Sequence, residues 1–371
     1  DLSDFYDEPN EQAEDAPATD DTAGQSPDEP DVDTRGVTAD IAAPTVSIIG
    51  EPEELPRIVG SAHLVDEATL ERDENDDVQR ILRTVPGVYV RGEDGFGLRP
   101  NIGLRGVDPN RSSKITLMED GVLLGPAPYA APAAYYFPMT TRMVGIEVFK
   151  GPAAVRYGPN TIGGAINLRT RDIPRESDGG LDLAIGQRGY GKAHGHWGRS
   201  WKHFGMLVEG VRIQSNGFKE LDGGGDTGFG KNEGMLKLRA NVDPAARVYH
   251  QFDAKAGIST ERSFETYLGL TDADFEANPY RRYVGSQKGL MRWWRSQAQL
   301  SYLLAYGDLV EFQTTAYRHD FSRAWTKFNT FRGGPSIEDV MADSGGQSAI
   351  YLGILRGEED STSADEALMI G

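Results

Sequence analysis

The sequence predicts an acidic disordered leader, a small mixed α+β domain, and a run of antiparallel strands that fits either a loop-rich soluble β protein or a membrane β-barrel. Three observations carry this reading. Residues 1–40 hold 14 Asp/Glu against one Arg and so carry −13 of the −19 formal charge of the 371-residue chain; a stretch this poor in aromatics buries too little apolar surface to offset the entropy of ordering. Between Leu55 and Ile173 short apolar runs alternate with turn signals. After about residue 178 apolar side chains recur at every second position, which is the strand period.

Composition removes several classes. A pI near 4.8 argues against nucleic-acid binding, which needs a basic face. The absence of Cys excludes disulfide frameworks, thiolate zinc sites and thiol catalysis. The most apolar stretch, Val122 to Met139, carries prolines at 126, 128, 132 and 138, so it cannot be a membrane helix. The chain starts at Asp1 without Met or an apolar leader, so any signal peptide is expected to have been removed. No nucleophile–base pairing stands out, and the chain reads as a non-enzyme with no cofactor.

Within the α+β domain, Asp73-Glu-Asn-Asp-Asp77 supplies capping oxygens and favourable negative charge ahead of Val78, Ile81 and Leu82, which predicts a short helix ended by Pro86-Gly87. Strands are expected at Val88–Val90, Ile102–Leu104, Ile115–Met118, Ile146–Phe149 and Ala165–Leu168. Asp120-Gly121 is a hairpin-turn signal. Gly95-Phe-Gly97 lacks the third glycine and the βαβ context of a dinucleotide loop, and Gly158–Gly164 lacks the Gly-Lys-Ser/Thr of a phosphate loop. Positive φ and close backbone approach account for these glycines more simply.

Six segments stand in a telling order: Arg80-Ile-Leu-Arg-Thr-Val-Pro-Gly-Val-Tyr-Val90, Asn101-Ile-Gly-Leu-Arg-Gly106, Ile115-Thr-Leu-Met-Glu-Asp-Gly121, Val144-Gly-Ile-Glu-Val-Phe-Lys-Gly-Pro152, Ala153-Ala-Val-Arg-Tyr-Gly158 and Ile162-Gly-Gly-Ala-Ile-Asn167. Together they resemble the plug domain of TonB-dependent outer-membrane receptors, nearest to the ferric dicitrate receptor group. The resemblance implies an α+β plug over residues 55–175 followed by an antiparallel transmembrane β-barrel over 176–371.

The alternation after the plug agrees with a barrel. Gly234, Leu236, Leu238, Ala240 and Val242 face one way and Glu233, Lys237, Arg239 and Asn241 the other; Val248, Phe252, Ala254, Ala256 and Ile258 alternate with Arg247, Gln251, Asp253 and Lys255; Trp294, Ala298, Leu300, Tyr302 and Leu304 alternate with Arg295, Gln297, Gln299 and Ser301. Tight turns at Asp243-Pro-Ala-Ala and Ala305-Tyr-Gly-Asp alternate with long polar connections at 216–230 and 259–289, as short periplasmic turns and long outer loops do. Trp197, Trp201, Tyr249, Trp293, Trp294 and Phe312 near strand ends suit an interfacial girdle, although cross-strand packing in a soluble sheet gives the same pattern.

The resemblance further implies import of bulky cargo across the outer membrane, powered through the periplasmic C-terminal domain of TonB. The expected TonB box is Pro44, Thr45, Val46, Ser47 and Ile48 within a linker spanning 44–54, behind a disordered tail of residues 1–43 too short for the folded signalling domain of transducing relatives. The favoured cargo is an iron(III) chelate, ferric citrate or a siderophore; cobalamin, another metal complex, a glycan, or a soluble β-rich binding role are the alternatives. Anionic oxygen chelates call for Arg and aromatic donors, so Arg91, Arg99 and Tyr129, then Tyr135 and Tyr136, are the candidate ligand contacts, on loops Arg91–Pro100 and Gly125–Phe137. Arg91 and Arg99 alternatively pair with Glu93 and Asp94. Arg105 and Arg156 are expected to gate the plug against lumenal carboxylates such as Glu209 or Glu233. His194 and His196 share a strand face but show no third metal ligand in the sequence; Asp222-Gly-Gly-Gly-Asp226 and Asp272/Asp274 read as solvated outer loops.

Receptors of this kind close with 22 strands, each using about 9–11 residues in the membrane. The 196 residues after position 175 leave nothing for connections at that number. About seven strands are expected to Phe321, followed by a polar, less regular stretch, and the chain is expected to be a fragment or truncated product.

Overall fold

The computed structural model describes residues 60–124, 136–264, 266–307, 309–360 and 368–370. The acidic leader, Pro44–Ile48, Tyr129 and Tyr135 lie outside the described residues.

The α+β unit begins with β1 (Ser61–Val65) and α1 (Glu67–Asp73), which the sequence pattern does not announce. Five strand residues and two helical turns are too short to show a period; β1 exists because it pairs along its whole length with a later strand. Asp77 caps α2 (Val78–Leu82) where the sequence predicts it, its Oδ1 accepting from the Gln79 N–H at 2.8 Å. There follow β2 (Val88–Arg91), β3 (Asn101–Leu104), β4 (Ile115–Glu119), β5 (Val122–Leu123), β6 (Met143–Lys150) and β7 (Gly164–Thr170). β2 and β3 form an antiparallel pair; the others make one sheet in the order β1-β6-β7-β4-β5, with β4 and β7 parallel. The turn between β4 and β5 holds Asp120 and Gly121 at φ 49° and 75°, the two positive values a tight two-residue hairpin requires. Leu82, Ile102, Leu104, Ile146, Val148, Ile166 and Leu168 are fully buried between these layers.

The chain continues through β8 (Asp178–Ile185), β9 (Gly191–Ser200), β10 (Phe204–Ser215), the two-residue β11 (Glu220–Leu221), β12 (Phe229–Asn241), β13 (Tyr249–Ser263), α3 (Asp272–Ala277), β14 (Arg281–Arg282), β15 (Leu290–Tyr306) and β16 (Val310–Thr326). Seven of these form one antiparallel sheet in the order β16-β15-β13-β12-β10-β9-β8. Connections at 201–203 and 242–248 are short, while those at 216–228 and 264–289 are long. The link 186–190 is short although it lies at the long-loop end.

Burial across this sheet is inverted relative to a soluble protein. Leu181, Leu183, Ile185, Val208, Phe252, Ile258 and Leu300 are exposed on one face, whereas Glu209, Lys231, Glu233, Gln251, Lys255, Glu261 and Arg295 are buried on the other. An apolar exterior and a polar interior are what strands facing lipid need, so the soluble-sheet option fails on the direction of the pattern rather than on its period. The girdle reading needs correction at two positions. Trp293 and Tyr249 are buried on the inner face, and Trp293 packs against Tyr136 of the α+β unit; Trp197, Trp201, Trp294 and Phe312 remain exposed.

The stretch expected to be irregular is ordered. β17 (Thr330–Arg332), α4 (Ile337–Ala342), α5 (Gln347–Arg356) and β18 (Leu368–Ile370) follow the wall. Val340, Leu352, Ile354 and Leu355 join Leu268, Tyr283 and Phe331 in a separate apolar core contributed by the long connections.

Candidate functional site

The inner face of the wall meets the α+β unit at its β4–β5 hairpin. β4 is buried throughout, so the two carboxylates at its tip, Glu119 and Asp120, leave an apolar strand and enter the wall together. Their partners come from three wall strands and from the turn Thr140–Arg142 that precedes β6. Glu119 Oε1 accepts from Lys255 Nζ at 2.6 Å and Gln297 Nε2 at 3.0 Å, and its Oε2 accepts from Arg142 Nη2 at 2.9 Å. Arg142 Nε donates to Glu233 Oε2 at 2.5 Å, and the other oxygen of Glu233 accepts from the Met139 N–H at 3.0 Å. Asp120 accepts from Lys255 Nζ at 2.7 Å and from the Thr170 N–H at 2.9 Å; Lys237 lies 3.6 Å away.

Burial alone would raise both carboxyl pKa values. For Glu119 the charges of Arg142, Lys255 and Arg295 and the Gln297 hydrogen bond outweigh it and hold the group well below its usual range. For Asp120, burial opposes Lys237 and Lys255, whose charges prevail and lower it to about 2. The result is an ionised, dry latch between the unit and the wall. Sequence reading named Glu233 on the wall but passed over the plug-side members: Glu119 and Asp120 stand inside a segment quoted for its resemblance, and Arg142 sits two residues ahead of another. The available signal was an acid pair ending a mostly apolar strand.

The residues singled out from sequence fall elsewhere. Arg91 is exposed, with Nη2 3.4 Å from Asn110 Oδ1. Arg99 is buried; it reaches across to the wall, donating through Nη2 to Glu261 Oε1 at 2.5 Å and Ser263 Oγ at 2.9 Å. The acids expected beside it act on the backbone and on an amide. Asp94 Oδ2 accepts from the Arg99 N–H at 2.9 Å, and Glu93 accepts from Asn101 Nδ2 at 2.8 Å. Tyr136 is buried edge-on to Trp293, ring centroids 5.3 Å apart, with the Arg295 guanidinium 4.3 Å from its ring centre. Burial, then the nearby Glu233 charge, push its phenol upward.

Arg105 and Arg156 are exposed and, among the described residues, make no ion pair. Arg156 Nε donates to Tyr157 Oη at 2.6 Å. The carboxylates expected to receive the two arginines are engaged otherwise: Glu233 by Arg142 and Glu209 by His194. Of the two acidic loop runs, Asp226 and Asp272 are exposed as expected, whereas Asp222 and Asp274 are paired. Asp274 is buried against Arg281, Arg356 and Tyr283, and Asp222 pairs with the same Arg281 at 2.9 Å.

The α+β unit latched to an inverted sheet defines a plug against a barrel wall. Residues 54–165 match the TonB-dependent Receptor Plug Domain family, and that unit with the antiparallel strands that follow it resembles solved outer-membrane transporters in fold. Among similar proteins, the vitamin B12 transporter BtuB of Vibrio vulnificus (strain YJ016) is 27% identical over 230 residues, 59% of this chain and 36% of that protein. The ferric enterobactin receptor of Pseudomonas aeruginosa is 29% identical over 140 residues, 35% of this chain and 19% of that one. In fold, the chain resembles the unliganded ferric citrate transporter FecA (TM-score 0.61, 21% identity, 75% of this chain and 42% of that one) and the ferric yersiniabactin uptake receptor FyuA of Yersinia pestis (TM-score 0.57, 18% identity, 73% and 42%). The chain spans less than half the length of each of these relatives.

Proposed function

We propose that this chain belongs to an outer-membrane receptor that imports a bulky iron(III) chelate, ferric citrate or a siderophore, by energised rearrangement of the plug. The observation that carries the reading is the latch: a folded unit held to the inner wall by buried ion pairs rather than by a continuous strand, and therefore releasable by work done on it. The outer membrane stores no ATP or ion gradient, so that work must arrive from outside. A β-prone sequence at Pro44–Ile48 suits strand addition to the periplasmic C-terminal domain of TonB, and it stands a short way ahead of β1 in the chain.

In this reading Arg91 meets the anionic cargo first, with Tyr129 and Tyr135 on the second loop. Arg99 and Tyr136, buried at rest, become available when the plug shifts and Glu261 gives up its partner. Arg105 and Arg156, exposed and without an acid, serve as gating cations for the displaced state. Cobalamin is the second cargo, favoured by the share of this chain that aligns with a vitamin B12 transporter. The test is a pull-down of the TonB C-terminal domain by the detergent-solubilised chain. Val46→Pro should abolish capture, because proline removes a ladder N–H; unchanged capture would overturn the coupling segment. Quenching of tryptophan fluorescence by ferric citrate against cyanocobalamin separates the cargoes.

A further inference from the structure

The inner face of the first hairpins carries a second constellation, independent of the latch and of the cargo. His194 and His196, two apart on β9, point to one side, and Glu209 on β10 is the register partner of His196. His194 Nε2 lies 2.9 Å from Glu209 Oε1, and one ligand atom from each of the three residues falls within 4.8 Å of the others. This supplies the third ligand that sequence spacing could not show, since it comes from the neighbouring strand.

Two observations point to a cation. The Glu209 side chain is fully buried, and its Oε2 has no hydrogen-bond partner among the described residues. A carboxylate oxygen so placed has given up water without a donor in return. The neighbouring cations are committed elsewhere, Arg171 to Glu67 at 2.7 Å and Lys192 to Asp182 at 2.8 Å. The histidines also line a cavity of about 400 Å³ where Glu67, Glu71, Glu74, Asp76 and Asp182 outnumber Arg171 and Lys192. Such a lining concentrates cations at the site.

We propose that His194, His196 and Glu209 form a divalent transition-metal site, with Zn²⁺ as its reference ligand. Two imidazoles and one carboxylate leave a fourth position open, and Asp178 Oδ2 stands 3.6 Å from His196 Nε2. Metal–ligand bonds of about 2.0–2.2 Å put tetrahedral ligand atoms roughly 3.3 Å apart, so His196 closes on the His194–Glu209 pair when the ion enters. The hydrogen bond between that pair is replaced by two metal bonds, His194 binding through Nε2 as the neutral imidazole with its proton on Nδ1.

The test uses the detergent-solubilised chain, stripped with a chelator and titrated with Zn²⁺ alone by calorimetry, with Co²⁺ absorption as a coordination readout. One ion per chain is expected. His196→Ala, at a partly exposed position, and the isosteric Glu209→Gln should each weaken binding at least tenfold and bleach the tetrahedral Co²⁺ bands, while His203→Ala in the β9–β10 turn should leave both unchanged. Zinc should raise the melting temperature of the parent chain and not that of His196→Ala. Absence of binding in the parent chain, or parental affinity in His196→Ala, overturns the proposal.

Discussion

Replacing Arg142 by Met keeps an unbranched apolar stem and removes the charge that bridges Glu119 and Glu233. Both acids are almost fully inaccessible, at 2% and 1% side-chain exposure, so neither can recruit water. Removing one partner of a buried ion pair costs about 3–5 kcal/mol. Here the lower end applies, because Glu119 keeps Lys255 and Gln297 while Glu233 keeps the Met139 N–H and Lys231 at 3.6 Å. At about 1.4 kcal/mol per tenfold, a loss near 3 kcal/mol multiplies the unlatched population roughly 150-fold. Native-state amide exchange reads this directly: protection across Met143–Lys150 should fall by about two decades, while amides in α4 and α5 keep theirs. Adding Glu233→Gln to Arg142→Met should restore part of the loss, giving a coupling energy above about 1 kcal/mol. Coupling below about 0.5 kcal/mol, or an equal loss of protection in the loop helices, would refute a localised latch.

Other outcomes follow from the same geometry. Asp120, lowered from 3.8 to about 2 in the folded chain, contributes latch stability that is fully present above pH 4 and lost as the pH falls through its folded value. The contribution is about 2 kcal/mol, and plug amide protection followed from pH 6 to pH 2 should be flat and then drop, a drop that Asp120→Asn removes. On the outer face, Leu300→Lys should destabilise the chain in lipid by about 2–4 kcal/mol, whereas Gln299→Lys, one position along and facing inward, should cost much less; equal urea midpoints for the two would contradict the assigned faces.

Much of the fold was legible because its causes are local. Asp77 as a cap, Asp120-Gly121 as a turn and the two-residue period of β12, β13 and β15 each act through neighbours in the chain. Period alone could not say which face is wet; that needed Leu300 exposed and Lys255 buried in the same sheet. The site was less legible for the same reason in reverse. Glu119 meets Lys255 and Gln297 across more than 130 positions of sequence, and no spacing rule reaches that far. Arg105 and Arg156 were singled out from segments whose fold role is clear, yet Arg142 holds the acid expected for them. The histidine pair was visible, but Glu209 joins it only through the β9–β10 register. α4 and α5 escaped notice because helices of 6 and 10 residues offer too few turns to display a stripe.

The long connections have an apolar core of their own, and Tyr267, next to its Leu268, meets Trp325, which packs on the main core, with ring centroids 5.2 Å apart. Energetic errors in the two cores therefore sum rather than compound, as they do for residues without shared partners. Substitutions in the long connections can rewrite the loop core while leaving the latch at full strength. Tyr267 and Trp325 are the toll on that freedom: a change there is felt on both sides, and a loop that moves has this contact through which to press on the wall.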